Sequence, residues 1–257
     1  MNEKPSFAKR LLHCTLALDV RNRPIDVEEV PLACPALPPA FCGARIAVVA
    51  DVHLPDQIVS IPDLLRCLQK QRPDAIFLPG DLTNSYTDFD AVGLRRLVRA
   101  LVRIAPCFAV PGNHEQRLGR EKLYRKILTQ CGVQYMSDSG TDWCKDGTTL
   151  RLYGMGETVP VATGNPAILL AHRPEYFADY CAAGWDLVVC GHAHGGHVRW
   201  GQHALFSPDQ GFEPRYTNGV YQKDNTRMIV SRGLGNSSIP WRVHNPPHLP
   251  ILVLKEK

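Results

Sequence analysis

Five short apolar runs punctuate the chain: RIAVVA at 45–50, AIFLP at 75–79, CFAVP at 107–111, AILLA at 167–171 and DLVVC at 186–190. Each is bounded by turn residues and is too short for a helix, so each reads as a buried strand. Between the first three lie PDLLRCLQKQ and FDAVGLRRLVRALVRI, whose leucines and valines recur three and four apart and predict amphipathic helices. Strand, helix, strand implies a parallel sheet with covering helices. Two further helices are expected at REKLYRKILTQC and, behind an N-terminal proline, at PEYFADYCAA. Residues 132–166 hold VQYM and TLRLYG among Gly, Asp and Thr, which predicts hairpins rather than crossovers, and RYTNGVY, RMIVSRG and PILVL look similar. The whole pattern predicts two sheets packed face to face with helices outside. In residues 1–40, Phe7, Leu11 and Leu18 share a helical face expected to dock on the body, and CPALPPAF reads as a proline-broken connector. Residues 41–257 are expected to form a single domain.

Composition changes this picture little. A chain of 257 residues, 44% hydrophobic and 21% charged, fits one large globular domain. No run approaches the roughly 20 apolar residues of a membrane-spanning helix, and no secretory signal is visible, so the expected location is the cytoplasm, with at most weak peripheral contact at the inner membrane surface. The nine cysteines are scattered and never form C-x-x-C, which argues against a disulfide framework or a zinc finger. The net charge of +4 tolerates an anionic substrate without marking a nucleic-acid binder. Arg95, Arg99 and Arg103, beside Arg96, make a basic stripe that reads as a solvated helix face.

The chemistry sits where the strands end. AVVA runs into DVH, IFLP into GD, FAVP into GNHE, ILLA into HRP and LVVC into GHAH. Ligands of open α/β sheets bind beyond the carboxyl ends of the strands. Five such loops bring Asp51, His53, Asp81, Asn113, His114, His172, His192 and His194 to one rim. Carboxylate, imidazole and amide oxygen together suit Mn²⁺, Zn²⁺ or Fe²⁺, and no cysteine stands among these words to suggest a thiolate site. The donors exceed what one tetrahedral ion needs and suffice for two ions if a carboxylate is shared, an arrangement typical of phosphoryl-transfer hydrolases.

In this order the words D-x-H, G-D, G-N-H-E, a separate His, and G-H-A-H resemble the calcineurin-like metallophosphoesterase superfamily. The resemblance implies a four-layer αββα sandwich of two mixed sheets and two divalent metal ions. It assigns Asp51, His53 and His194 to the first ion, Asn113, His172 and His192 to the second, and Asp81 to both. His114 is left to donate a proton to, or stabilise, the leaving oxygen, with Glu115 orienting it. The implied reaction is in-line attack of a metal-bound hydroxide on a phosphodiester, phosphomonoester or pyrophosphate bond, in a small-molecule or lipid-linked substrate. D-x-H in place of D-x-G, and Asn84 where purple acid phosphatases carry tyrosine, argue against a purple iron site. The flanks LPPAFCGARIAVVADVH and SRGLGNSSIPWRVHNPPHLPILVL look like the bacterial branch often anchored on membranes. His197 stands where that branch often has glutamine, and is expected at the surface or behind a ligand.

Two competitors share the fold. A non-catalytic scaffold is expected to have lost ligands or the proton donor, yet Asn113 and His114 are present. A nuclease needs a phosphate-tracking surface that a charge of +4 does not announce.

Overall fold

The computed structural model describes residues 24–201, 203–207, 210–236 and 242–256. The helical face expected at Phe7, Leu11 and Leu18 lies outside the described residues. In chain order come β1 (Asp26–Cys34), β2 (Arg45–Val48), α1 (Ile61–Gln71), β3 (Ala75–Leu78), α2 (Ala91–Leu101) and β4 (Cys107–Ala109). There follow the single turn α3 (Asn113–Gln116), α4 (Glu121–Gln130), β5 (Gln134–Tyr135), β6 (Ser139–Lys145), β7 (Thr148–Gly154) and β8 (Ile168–Leu170). After α5 (Phe177–Ala182) and β9 (Leu187–Cys190), two small hairpins form from β10 (Arg199–Trp200) with β11 (His203–Ala204) and β12 (Phe206–Ser207) with β13 (Gly211–Phe212). The chain closes with β14 (Gly219–Lys223), β15 (Thr226–Val230) and β16 (His248–Glu256).

Two six-stranded mixed sheets result, ordered β1-β16-β2-β3-β4-β5 and β14-β15-β9-β8-β7-β6. Strands β2 to β5 run parallel, as do β7, β8, β9 and β15, while the antiparallel pairs are β16 with β2, β6 with β7, and β14 with β15. The period of two explains the layers. Ile46, Val48, Phe77, Ile168, Leu170, Leu187 and Val189 face the seam between the sheets, whereas their chain neighbours Ala47, Ile76, Leu78, Leu169 and Val188 face the covering helices. With both faces buried, alternation of polar and apolar disappears and the strands read as continuous apolar runs. Helix α2 buries Leu94, Leu97, Val98 and Leu101, and Asp90 caps it by accepting from the Gly93 amide at 2.8 Å. The arginine stripe falls on the opposite side, with Arg96, Arg99 and Arg103 exposed and Arg95 half-buried.

Three elements differ from the sequence reading. Residues 26–34, within the stretch read as N-terminal segment and connector, form a full strand paired in parallel with β16 from Asp26↔His248 to Cys34↔Glu256. Their mixed polar pattern suits an edge strand and hides the pairing. Hairpins were expected throughout 132–166, but only β6–β7 is one, since β5 lies parallel to β4 and β7 parallel to β8. PILVL belongs to β16 and returns to the first sheet, beside β2. Among the described residues all cysteines are free, with Cys34, Cys107 and Cys190 buried, and no helix is long and apolar enough to cross a membrane.

Candidate active site

All five polar words reach one place. Asp51 and His53 follow β2, Asp81 follows β3, Asn113 and His114 open α3 after β4, His172 follows β8, and His192 and His194 follow β9. Every one of these side chains is buried, none being more than 7% exposed. Asp51, His53 and His194 bring one donor atom each within 4.8 Å of one another, as do Asp81, His172 and His192, and also His53, Asp81 and His114. The rim thus joins loops of both sheets.

Hydrogen bonding decides which ring nitrogens face inward. His172 Nδ1 lies 2.7 Å from the Pro79 carbonyl, which can only accept, so Nδ1 carries the proton and Nε2 presents a lone pair. That lone pair lies 2.9 Å from Asn113 Oδ1, 3.1 Å from Asp81 Oδ2 and 3.0 Å from His192 Nδ1. On the other side, Arg242 Nη2 spends both hydrogens on the carbonyls of Gly235 (2.6 Å) and Arg232 (2.7 Å), so His194 Nδ1, 3.2 Å from the Gly235 carbonyl, is itself a donor there. His194 Nε2 then presents its lone pair 3.1 Å from His53 Nε2, while the buried His53 Nδ1 has no partner among the described residues. Acceptors packed this closely repel unless a proton or a metal cation sits among them. The donor set therefore fits divalent metal.

The electrostatics agree. Burial raises the Asp51 carboxyl to about 7, Asp81 adding and His172 and the His192 amide opposing. Burial pulls His53 down to about 3 and His194 well below the usual imidazole range. Burial also works against a charged His172, but Asp81 and Asp51 override it and lift that ring to about 9. A carboxylate that resists ionising, neutral imidazoles and one ring that takes a proton among carboxylates describe a site short of positive charge.

Local backbone is strained where the donors are delivered. Asp51, His53, Asp81, His192 and His194 all have positive φ, between 47° and 72°, a region costing about 1–2 kcal/mol for most non-glycine residues. The glycines nearby are steric necessities. A Cβ on Gly112 would collide with the Asp81 carboxylate, and one on Gly191 would lie 2.6 Å from Asp51 Oδ2.

His114 is held differently from the other imidazoles. The Ser85 backbone amide donates to its Nδ1 at 2.9 Å, with the Ser85 hydroxyl 3.1 Å away. An amide cannot accept, so Nδ1 is the unprotonated nitrogen and Nε2 bears the hydrogen in the neutral ring. Nε2 faces Asp81 Oδ2 at 3.9 Å. Ligating metal through Nε2 would push the proton to Nδ1, against the Ser85 N–H. Burial lowers the His114 pKa, Asp81 opposing and Arg117 assisting, which favours this neutral form.

Glu115 was expected to orient His114, but its bonds go elsewhere. It accepts from the amides of Asp81, Thr83 and Gly112 and from the Thr83 hydroxyl, each at 2.9 Å, and so ties the loop after β3 to the loop after β4. Burial and Asp81 raise its pKa to about 7 against those amides. His197 is not at the surface: it is 1% exposed and stacks on His194 at 5.3 Å between ring centroids. A sixth loop was missed. After β15, Leu234 and Gly235 donate to the carbonyls of Ala50 and Asp51, and Arg242, fully buried, holds Asn236 and the Gly235 carbonyl behind His194. Its signal was present, because RMIVSRGLGN is another apolar run ending in a glycine-rich polar word.

Comparison with known proteins agrees with this geometry. A family model described as calcineurin-like phosphoesterase matches residues 44–196, which hold the five polar words that carry Asp51 to His194. The chain is 25% identical over 252 residues to the "Uncharacterized metallophosphoesterase YkuE" of Bacillus subtilis strain 168, covering 90% of this chain and 86% of that one. It is 28% identical over 209 residues to "Phosphodiesterase YaeI" of Escherichia coli K12, covering 75% of each. An "Uncharacterized metallophosphoesterase" of Aquifex aeolicus is 26% identical over 271 residues, covering 95% of this chain and 94% of that one. With the family model spanning more than half its length and a buried cluster of convergent metal donors at its rim, the chain belongs to the calcineurin-like phosphoesterases and is a metal-dependent phosphoric ester hydrolase.

Proposed function

We propose that the protein hydrolyses phosphodiester-type bonds in a small-molecule substrate with two divalent ions, Mn²⁺, Zn²⁺ or Fe²⁺. Asp51, His53 and His194 would hold one, Asn113, His172 and His192 the other, and Asp81 both. The observation that carries this reading is the position of Asp81 Oδ2, 3.1 Å from His172 Nε2 and 3.9 Å from His53 Nε2, between the two donor groups. The Escherichia coli relative, named a phosphodiesterase, supports the diester. When bound, the ions supply neutralisation of the phosphoryl oxygens and an activated water.

The chain's own residues do the rest. His114 stabilises the leaving oxygen by offering its Nε2–H as a hydrogen bond, and the Ser85 amide keeps that hydrogen on Nε2. The Asp81 carboxylate is aimed from two sides, by the His114 amide donating to Oδ1 at 2.9 Å and by Glu115 holding the Asp81 amide. Arg242 fixes the ring of His194 through the shared Gly235 carbonyl. Water is excluded from the donors by their burial, which strengthens each electrostatic contact.

The test measures metal content and turnover together. Protein reloaded with manganese after chelation should hold up to two equivalents and cleave bis(p-nitrophenyl) phosphate faster than p-nitrophenyl phosphate. Undiminished turnover by the chelated protein would refute the reading, and a preference for the monoester would refute its diester part.

A further inference from the structure

Beside His114 lies a small exposed surface, Tyr86 with Arg117, that the metal chemistry does not use. Tyr86, 59% exposed, sets its ring edge-on to His114 with centroids 5.3 Å apart. Arg117, exposed, donates from Nη1 to the Tyr86 hydroxyl at 2.7 Å and lies 5.5 Å over that ring. No carboxylate pairs with Arg117 among the described residues, and its remaining N–H groups have no protein acceptor there. The loop that carries Tyr86 is anchored, not loose. Asn84 Nδ2 and the Thr87 hydroxyl donate to Asp56 at 2.9 and 3.1 Å, Arg120 donates to the Thr87 carbonyl at 3.0 Å, and the Ser85 amide holds His114.

We infer that Arg117, braced by Tyr86, reads negative charge on the leaving group, so that the preferred substrate carries a carboxylate or phosphate close to the oxygen that departs. This deepens the hydrolase reading above and rests on it. His114 marks the side of departure, because the P–O bond that breaks leaves its electron pair on an oxygen that accepts a hydrogen bond from Nε2–H, while the new P–O bond forms to water on the opposite face. On this inference, whatever follows that oxygen lies beside Tyr86, whose ring centroid lies 5.3 Å from that of His114, and so beside Arg117. A guanidinium with donors to spare and no acidic partner among the described residues, held by a hydroxyl and an aromatic face, is pre-organised for an anion and costs little further ordering when one arrives.

The test compares phenyl esters of phosphoric acid that differ only in the leaving group, 4-nitrophenolate or 3-carboxy-4-nitrophenolate, with P1,P2-diphenyl pyrophosphate as the phosphate-bearing arm. For each variant the readout is the ratio of kcat/KM on the anionic substrate to that on the neutral one. Arg117→Ala should lower this ratio about 10- to 100-fold, the range of a lost charge-assisted hydrogen bond. Arg117→Lys should recover part of it, and Tyr86→Phe should lower it less. Arg99→Ala, a surface arginine on α2 away from the rim, serves as control. A loss confined to one anionic arm identifies carboxylate or phosphate as the natural group. A ratio unchanged in Arg117→Ala, or falling equally in Arg99→Ala, overturns the inference while leaving the hydrolase reading intact. Wild-type protein that cleaves none of these esters with metal overturns both.

Discussion

The seam between the sheets and the rim beyond it are built by the same strands and are equally buried, yet they obey opposite rules. In the seam Ile46, Phe77, Phe108 and Leu170 are apolar and at most 2% exposed, and Phe77 meets Phe108 edge-on at 5.8 Å. A few residues beyond the ends of those strands, Asp51, Asp81, His172 and His192 are almost as dry, at most 6% exposed, but polar, with the backbones of Asp51, Asp81 and His192 at positive φ. The seam lowers the free energy of the fold. The rim raises it until cations arrive. This division lets the apolar layer hold the loops rigid while the loops hold a charge pattern that would not be stable alone.

Four changes probe the contrast, the largest effect first. Asp81→Asn removes the carboxylate between the two donor groups and should cost at least about 10³-fold in turnover, several kcal/mol of lost charge stabilisation, together with bound metal. Metal analysis and kcat on the diester check it, and full metal content would contradict the shared role. His114→Ala should keep its metal but lose roughly 10² to 10⁴ in rate, more on an alkyl leaving group than on nitrophenolate, which departs without a proton. Lost metal, or equal losses on both esters, would show that His114 acts otherwise.

In the seam the expected signature reverses. Phe77→Ala should destabilise by about 3–5 kcal/mol through lost contacts and a cavity, read from denaturant midpoints. The metal-loaded protein at low denaturant should keep nearly normal kcat, because no donor is touched. The smallest effect is at the edge, where β1 meets β16. The Arg232 amide donates to His248 Nδ1 at 3.3 Å, so Nε2 carries the hydrogen that meets Glu28 at 2.9 Å. This bond holds the Glu28 carboxyl below its ordinary value. A carboxyl lowered on folding contributes stability that is present above the unfolded pKa and fades as pH falls through the lowered one. With Glu28 about half exposed, Glu28→Gln should cost under about 1 kcal/mol at pH 7, and its denaturation midpoint should converge with that of the wild type below about pH 4.

The inner strands were legible because burial on both faces leaves a local mark, an unbroken apolar run, and the donors were legible because each stands directly after such a run. β1 was not, since an edge strand keeps polar residues on its open side and its partner lies more than two hundred residues away. The side chains able to offer metal donors were likewise a matter of residue type and order, visible at Asp51, Asp81 and the GHAH word. Which nitrogen of each ring faces inward was not visible, because that depends on the Pro79 and Gly235 carbonyls and the Ser85 amide, contributed by other loops. Glu115 shows the same limit: its place after GNH suggested a partner for His114, and packing gave it to Asp81, Thr83 and Gly112 instead. Sequence by itself determined the layers, the family and the chemical inventory of the rim, all of which follow from local patterning. Only the tertiary structure decided tautomers, braces such as Arg242, the burial of His197 and the bracing of the Arg117 guanidinium by Tyr86, because hydrogen bonds and charge are set by neighbours in space that the chain order does not name.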